Sequence, residues 1–332
     1  MRREGGSPEP SFSNLVPATG AILEEILDRT HPVWGEGLDR ASYARYNAAQ
    51  LKTPWGRSHL RRVALVGADG RWVSTAKRYD LKVRAGGREV PAIGIGALFT
   101  RPDARRRGAA GELLRTLMAQ GEAEGARLAL LFSEIGTRYY ERYGFRAVPV
   151  MQTVLDLVAA RSSAPPAIPM RSGEADDLPA IAEMNAMQAA GFPFTLARSP
   201  GYIAFAIAKK RLLAASGAPG HREVEFFVVE EGGRAAAYAV VLAVGDYWMV
   251  TECGDRDPTG ARAGALLEAM LSRPGVRASR LLAWLPPRFL PPQLHVLWRE
   301  RPAVAMMAAP LGGFDLDLAR RDQVAWWHAD AF

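Results

Sequence analysis

The chain has 332 residues, of which 48% are hydrophobic, and a formal net charge of +7. This length and composition predict about two folded domains, each with a core of its own. No apolar run reaches the roughly 20 residues that a membrane-spanning helix needs, and residues 1–12 lack the apolar stretch of a signal peptide. We therefore expect a cytoplasmic protein with no membrane partner.

The charge and the single cysteine exclude further classes. Cys253 is the only cysteine, which rules out an intramolecular disulfide and a structural zinc cluster, and the five histidines have no metal-ligand spacing. The net positive charge could attract any anion, but the sequence contains no helix-turn-helix, finger or aromatic-and-basic strand pattern. We expect neither a metal nor a nucleic-acid partner.

The first half of the chain alternates helical and strand-like patterns. Residues 1–14 are predicted to form a disordered tail, and residues 15–160 a first domain. Apolar spacing in this domain predicts two helices, a meander of three strands, a long amphipathic helix, a strand and a short helix. These elements are expected at Ala18–Arg29, Asp39–Gln50, Val63–Val66, Trp72–Tyr79, Val90–Thr100, Gly108–Glu124 and Arg127–Phe132, and around Tyr139.

The second half repeats this order after a linker. Residues 161–169 are rich in Ser, Ala and Pro and show no periodicity, so we place a linker there and a second domain at 170–332. Aligning Leu113 with Leu266 superposes the two long helices and the strands that precede them. The sequence predicts an α/β (α+β) protein with two related domains, each a mixed, mostly antiparallel twisted sheet flanked by helices.

The stretch Ala97–Leu114 (ALFTRPDARRRGAAGELL) combines a strand, a Pro-Asp turn, three arginines and small residues that open a helix. A helix start offers unpaired N–H groups and the positive end of the helix dipole, and small residues let phosphate oxygens approach that backbone. The spacing matches neither a dinucleotide fingerprint nor a P-loop. The pattern therefore indicates a site for another diphosphate.

These residues resemble the acetyl-CoA signature of the GNAT superfamily of N-acetyltransferases, Gln/Arg-x-x-Gly-x-Gly/Ala after a strand. Here the signature reads Arg105-Arg106-Arg107-Gly108-Ala109-Ala110, and Tyr139–Phe145 (YYERYGF) resembles the family's Phe-Tyr-Glu-Lys-x-Gly-Phe box. The resemblance implies an acyltransferase that uses acetyl-CoA as co-substrate, without a metal, to acetylate a primary amine of a small molecule.

The resemblance also assigns roles to residues. Backbone groups of Leu98, Phe99 and Thr100 would bond the pantetheine arm, and the pyrophosphate would lie against the run Arg105, Arg106, Arg107, Gly108, Ala109, Ala110 and Gly111. Tyr140 stands where the family has its general acid, and a phenol with a pKa near 10 stays protonated at neutral pH. The alternative for Tyr140 is a core aromatic residue.

Two further assignments leave alternatives open. Ser133 stands where many members carry an asparagine that bonds the CoA arm, although it could equally end a strand or cap a helix. Tandem-domain aminoglycoside acetyltransferases are similar in having two GNAT units and use their terminal carboxylate as base. By that resemblance, the carboxylate of Phe332 is a candidate base here, the alternative being a tail packed for stability.

The second unit is expected to be degenerate. Pro258 and Ala261 replace the residues that correspond to Arg105 and Gly108, so we expect this unit to shape the acceptor pocket without binding CoA. A complete unit joined to a degenerate one is also weakly similar to fungal-type lysine N6-acetyltransferases. The alternatives are an aminoglycoside or polyamine acetyltransferase, and an acyl-CoA-binding sensor without catalysis. The sequence leaves open whether the protein is a homodimer.

Overall fold

The computed structural model describes residues 12–157, 168–276, 278, 280–317 and 321–332. Its strands are β1 (Phe12–Pro17), β2 (Leu60–Gly67), β3 (Trp72–Ala85), β4 (Arg88–Thr100), β5 (Leu128–Ser133), β6 (Arg146–Ala147), β7 (Gln152–Leu157), β8 (Met170–Ser172), β9 (Phe194–Leu196), β10 (Arg222–Glu231), β11 (Arg234–Val244), β12 (Tyr247–Asp255), β13 (Arg280–Ala283), β14 (Leu294–Glu300), β15 (Ala305–Pro310) and β16 (Val324–Ala325). Its α-helices are α1 (Gly20–Trp34), α2 (Arg40–Lys52), α3 (Pro54–His59), α4 (Ala109–Ala123), α5 (Arg138–Glu141), α6 (Leu178–Ala189), α7 (Pro200–Ser216) and α8 (Ala261–Leu271).

The strands of the described residues form two mixed sheets. The first has the order β1-β2-β3-β4-β5-β15-β6, with β9 added beside β3 and β16 beside β9, and the second has the order β14-β7-β13-β12-β11-β10-β8. Among the described strands, neighbours pair antiparallel except for β4 with β5, β12 with β13 and β9 with β16. The predicted fold class is confirmed.

The predicted elements of the first half form largely for local reasons. Asp39 caps α2 by accepting a hydrogen bond from the Ser42 amide at 2.6 Å, and Thr53 caps α3, which begins with Pro54. Gly70 (φ 77°) turns the chain between β2 and β3. Helix α4 buries one apolar face, including Leu113, against the sheet.

The two sheets repeat one local topology, as the sequence alignment predicted. In each, a long strand follows an antiparallel neighbour, leads into a helix that starts at a left-handed glycine, and pairs in parallel with the strand after that helix. These units are β3-β4-α4-β5 and β11-β12-α8-β13, and the helix-starting glycines are Gly108 and Gly260. The second half therefore copies the arrangement that surrounds the predicted diphosphate site.

Strands are exchanged between the two halves of the chain. Strand β7, which precedes the predicted linker, pairs with β13 and β14 of the second sheet. Strand β15, from the C-terminal part, lies between β5 and β6 of the first sheet. Each sheet is thus completed by a strand from the other half, so the sheets do not divide at residues 161–169.

Both predicted segments without regular structure lie partly outside the described residues. Of the predicted tail, residues 1–11 are not described, and Phe12–Pro17 forms β1 on the edge of the first sheet. Of the predicted linker, only residues 168 and 169 are described, and β8 follows directly. In the described ranges, we find no helix that is both long and apolar enough to cross a bilayer.

Candidate active site

Strands β4 and β5 separate at their carboxyl ends. They pair in parallel from Ala92 opposite Leu128 to Ile95 opposite Leu131, whereas β4 runs on to Thr100 and β5 to Ser133. The opening is part of a cavity of about 400 Å³ whose lining includes Leu98, Tyr140 and Phe332. A gap between two parallel strands exposes backbone groups that would otherwise bond each other.

A β-bulge changes the direction of the β4 backbone at this point. Thr75 of β3 pairs with Phe99 and Lys77 pairs with Gly96, so Ala97 and Leu98 together lie opposite one residue of β3. Ala97 has a φ of 49°, in the left-handed region that side chains other than glycine seldom adopt. The bulge therefore places Leu98 at the cavity wall, where an extended ligand could pair with its backbone.

The predicted diphosphate loop leads into α4 as expected. Arg106 (φ 63°) and Gly108 (φ 83°) both take left-handed conformations, and Gly108 caps the helix without a side-chain hydrogen bond. The amide of Glu112 is bonded to Gly108, so the amides of the preceding first turn point beyond the helix end. Arg105, Arg106 and Arg107 are all exposed around this end. This positively charged helix start fits a pyrophosphate.

Gly111 has a packing role that the motif did not indicate. A Cβ atom at Gly111 would lie 2.1 Å from the hydroxyl oxygen of Tyr143. The missing side chain thus lets the aromatic box of Tyr139, Tyr140 and Tyr143 lie against the start of α4. The two motifs of the sequence are adjacent in space because of this contact.

Some of the predicted pantetheine-binding groups already have partners within the protein. The carbonyl oxygen of Phe99 accepts from the Ser74 hydroxyl at 3.0 Å, and that of Thr100 accepts from Arg105 Nε at 3.3 Å. The guanidinium of Arg105 also lies 5.8 Å from the centre of the Phe99 ring. Arg105 therefore bends back over β4, while Leu98 remains at the cavity.

Tyr140, to which the family resemblance assigns the role of general acid, lies in the cavity wall. Its side chain is buried between the rings of Tyr139 and Phe145, whose centres lie 5.1 and 6.1 Å away. Burial, and then the nearby carboxylate of Glu134, raise the pKa of Tyr140 above its ordinary value. The phenol is thereby kept protonated and can donate a proton.

The Ser133 hydroxyl forms a hydrogen bond within the turn that follows β5. It is buried, and its hydroxyl donates to the carbonyl oxygen of Gly136 at 2.5 Å. Gly136 has a φ of 81°, so the bond closes a tight turn that brings Glu134 to the cavity rim. This geometry favours the strand-end alternative for Ser133.

The C-terminal residue lies in the same cavity as Tyr140. The Phe332 ring packs against Tyr79 and Phe132, with centres 4.8 and 5.1 Å apart. Gly94 and Gly96 of β4 make room for it: a Cβ atom at Gly94 would lie 2.5 Å from Phe332 Cζ, and one at Gly96 would lie 3.2 Å from the Phe332 carbonyl oxygen. The two glycines form a groove that seats the terminal residue on β4.

Two basic side chains, Lys209 and Arg198, hold the tail that leads to Phe332. Lys209 Nζ donates to the carbonyl oxygen of Ala331 at 2.7 Å. Arg198, whose side chain is 3% exposed, pairs with Asp330 at 3.1 Å and with Glu252 at 2.7 Å. Burial raises the pKa of Asp330 to about 6, while Arg198 acts in the opposite direction. The tail is fixed by ionic contacts from the second half of the chain.

The equivalent helix start in the second unit is closed to anions. The buried carboxylate of Asp255 accepts hydrogen bonds from the amides of Arg262 and Ala263, at 2.7 and 3.0 Å. Phe289 covers the same end, because a Cβ atom at Gly260 would lie 2.9 Å from its ring. The chain's own carboxylate therefore takes the place that a phosphate has at such a helix start.

Sequence reasoning singled out Tyr140 and Phe332 as candidates, and both line this cavity, but it gave no indication of the residues that contact the terminal segment. The alternating glycines in Val90–Thr100 (VPAIGIGALFT) are a detectable signal, since glycine inside a strand often marks a close approach of another backbone. The sequence around Arg198 and Lys209 gives no local signal, because their partners are distant in the chain. Asp330 and Ala331 lie more than a hundred residues away, and Glu252 lies in β12. Within the described ranges, no group of three or more His, Cys, Asp or Glu side chains is arranged to hold a metal ion.

Known proteins resemble this chain in sequence over one segment and in fold over most of its length. A model of the acetyltransferase (GNAT) domain matches residues 36–148. No curated protein sequence matches the chain.

Three solved structures illustrate the likeness in fold. A probable N-acyltransferase from Enterococcus faecalis V583 superposes with a TM-score of 0.63 and 14% identity, covering 89% of this chain and 71% of the other. A GCN5-related N-acetyltransferase from Kribbella flavida gives 0.62 and 18%, covering 90% and 71%. Saccharomyces cerevisiae N-myristoyltransferase with bound myristoyl-CoA gives 0.54 and 11%, covering 96% and 90%.

The matched segment contains the bulge in β4, the loop before α4, and Tyr140. Residues 36–148 of this chain therefore match a GNAT acetyltransferase domain, and the chain has the fold of the GNAT structures named above.

Proposed function

We propose that the protein transfers an acetyl group from acetyl-CoA to a primary amine of a small molecule, with Tyr140 as general acid and the Phe332 carboxylate as general base. The observation that carries this proposal is the convergence of both residues on one cavity, at the point where β4 and β5 separate. When bound, acetyl-CoA would supply an activated acyl carbon.

The protein would bind the co-substrate along β4 and the start of α4. The Leu98 backbone at the bulge would pair with the extended pantetheine arm. The first-turn amides of α4 and the exposed arginines at residues 105–107 would hold the pyrophosphate. Because Asp255 fills the corresponding helix start of the second unit, we propose that only the first of two tandem GNAT units binds CoA.

The two catalytic groups would move protons in opposite directions. An alkyl amine with a pKa near 10 is almost wholly protonated at neutral pH and cannot attack until it loses a proton. The Phe332 carboxylate would accept that proton, and the Tyr140 phenol would donate one to the departing thiolate. Seating in the glycine groove and the Lys209 bond to Ala331 would hold the carboxylate for this role.

The cavity also bears on the choice of acceptor. Its lining is mainly apolar, with Trp34, Phe132 and Val304 among its members, and Glu134 is its one acidic side chain. Polycations such as aminoglycosides need several carboxylates, so the lining favours a small molecule with one ammonium group near an apolar body. A sensor without catalysis would need neither a buried phenol nor a terminal carboxylate in the lining of this cavity.

The test measures thiol release from acetyl-CoA with a panel of amino acids, alkylamines, polyamines, aminoglycosides and peptides. Tyr140→Phe should lower turnover by about 10²- to 10⁴-fold, the usual contribution of a general acid. Tyr139→Phe is the matched control and should retain most of the turnover, because that ring packs beside Tyr140 and is assigned no proton transfer. CoA binding without acceptor-dependent release from any amine would instead identify a sensor.

One added glycine after Phe332 tests the base. The extension moves the carboxylate away from the groove, so turnover should fall severely while affinity for CoA is retained. Unchanged turnover of the extended chain would exclude the terminal carboxylate and leave Tyr140 without this partner.

A further inference from the structure

A second cavity lies at the far end of the first sheet. It has a volume of about 290 Å³ and is formed where β9 and β16 extend the sheet beside β3, next to α6 and the start of α7. None of its lining residues lines the cavity that contains Tyr140 and Phe332. The size lies just below the usual range of ligand pockets, about 300–1,000 Å³, and suits a small ligand.

One wall of this second cavity carries charges of both signs. Lys82 and Arg84 are two residues apart on β3 and therefore share a face, and Glu89 of β4 pairs directly with Arg84. None of the three forms an ion pair with another described residue within salt-bridge distance. Two cations and one carboxylate are thus available on a single wall.

The opposite side carries an amide without a protein partner. Both polar atoms of the Gln188 side chain are buried, and neither has a hydrogen-bond partner among the described residues. Leaving such a group unpaired costs on the order of 1–3 kcal/mol, and buried polar groups in native proteins are normally paired. A ligand toward which the Gln188 side chain rotates would bond this amide and recover the cost.

The remaining lining fixes the shape of the cavity. Arg198 lies in the wall, but Glu252 and Asp330 already neutralise its charge. Trp327 adds an apolar surface from the C-terminal tail. The cavity therefore offers an anion site, a cation site, an amide and an aromatic face.

We propose that this cavity is a second ligand site that binds a free amino acid. Its α-carboxylate would bond Arg84 and Lys82, its ammonium would bond Glu89, Gln188 would bond a remaining polar atom, and its side chain would lie against Trp327. Arginine recognises carboxylates through paired, charge-assisted hydrogen bonds, which gives the orientation. The site goes beyond the proposed acetyl transfer and does not depend on it.

The test is calorimetry on the full chain with the common L-amino acids at millimolar concentration, in the absence of acetyl-CoA. At least one amino acid should bind, and its methyl ester and its N-acetyl derivative should not, because each lacks one of the two charges. Arg84→Gln and Gln188→Leu should each weaken binding about tenfold or more, the loss of one buried or charged hydrogen bond.

Two control variants locate the ligand. Arg71→Gln removes an exposed arginine from the turn before β3 and should leave the affinity unchanged. Trp34→Ala alters the catalytic cavity and should also leave it unchanged.

Three results would overturn the proposal: no binding of any amino acid, binding that survives both Arg84→Gln and Gln188→Leu, or binding abolished by Trp34→Ala. The last would place the amino acid at the acceptor site. Because the assay omits acetyl-CoA, a failure of the proposed acetyl transfer would not change its outcome.

Discussion

Replacing Gly94 by alanine should remove most of the activity while leaving the cofactor site intact. The new Cβ atom would lie 2.5 Å from Phe332 Cζ and 2.7 Å from Cε2, whereas ordinary carbon contacts are 3.4–4 Å. The terminal ring must therefore move by about 1 Å, and the carboxylate on the same residue moves with it. A misplacement of about 1 Å in a catalytic group can reduce turnover about 100-fold.

The assay is kcat for thiol release with the best acceptor of the panel, together with the dissociation constant of CoA from calorimetry. We expect kcat to fall about 100-fold and CoA affinity to stay unchanged, because Gly94 is remote from the start of α4. Gly191→Ala is the control, since the nearest atom to its new Cβ would be 3.9 Å away. Full activity of Gly94→Ala would refute the catalytic use of the seated terminus.

Three further substitutions test the contacts that hold the tail. Lys209→Met removes the 2.7 Å hydrogen bond to the Ala331 carbonyl oxygen. It should lower kcat about tenfold or more without changing the KM for acetyl-CoA. Lys209→Arg, which can still donate a hydrogen bond, should retain more of the kcat than Lys209→Met. Burial lowers the pKa of His328 to about 3, so between about pH 3 and 6.5 the unfolded chain binds a proton at this residue that the folded chain does not. The free energy of unfolding should therefore fall as the pH drops from about 6.5 toward 3, by at most ~1.4 kcal/mol per pH unit. His328→Phe should flatten this pH dependence in urea titrations. Arg198→Met leaves two buried carboxylates without their cation and should cost about 3–5 kcal/mol in urea unfolding. Arg234→Met is the control, because the side chains of Arg234 and its partner Glu183 are 61% and 58% exposed, and should cost under about 1 kcal/mol.

Each of these has a contrary result. A Lys209→Met enzyme with normal kcat would show that the terminus needs no cationic support. Equal pH dependence in wild type and His328→Phe would assign the acid sensitivity to other groups. Similar losses for Arg198→Met and Arg234→Met would mean that the buried ionic cluster contributes no more than a surface pair.

The elements that the sequence predicted are those with local signals. Helix α4 has apolar residues at helical spacing on one buried face, and the loop before it has the small residues and arginines of an anion site. Helix α7 was missed because its apolar residues are not confined to one face: it packs against α2, α3 and α6 and contacts β10. Its buried positions therefore give little periodic signal.

The strand exchange could not be predicted for a different reason. Strand β15, Ala305–Pro310 (AMMAAP), has no β-branched residue and becomes a strand only because β5 and β6 pair with it on both sides. Nothing near residue 305 in the sequence indicates a partner near residue 130. The site of the candidate base, the Phe332 carboxylate, could not be predicted for the same reason. Gly94 and Lys209, which contact the terminal segment, are far apart in the sequence and come together only in the complete fold.

The position of β15 determines when the catalytic unit can be completed during synthesis. Strands β1 to β6 of its sheet lie within residues 12–147, but β15, which lies between β5 and β6, is not complete until residue 310 has been translated. Domains usually fold as units during synthesis, the N-terminal one first. Here the edge of β5 stays unpaired until β15 has been synthesised, so the N-terminal sheet cannot be completed before most of the second half of the chain exists.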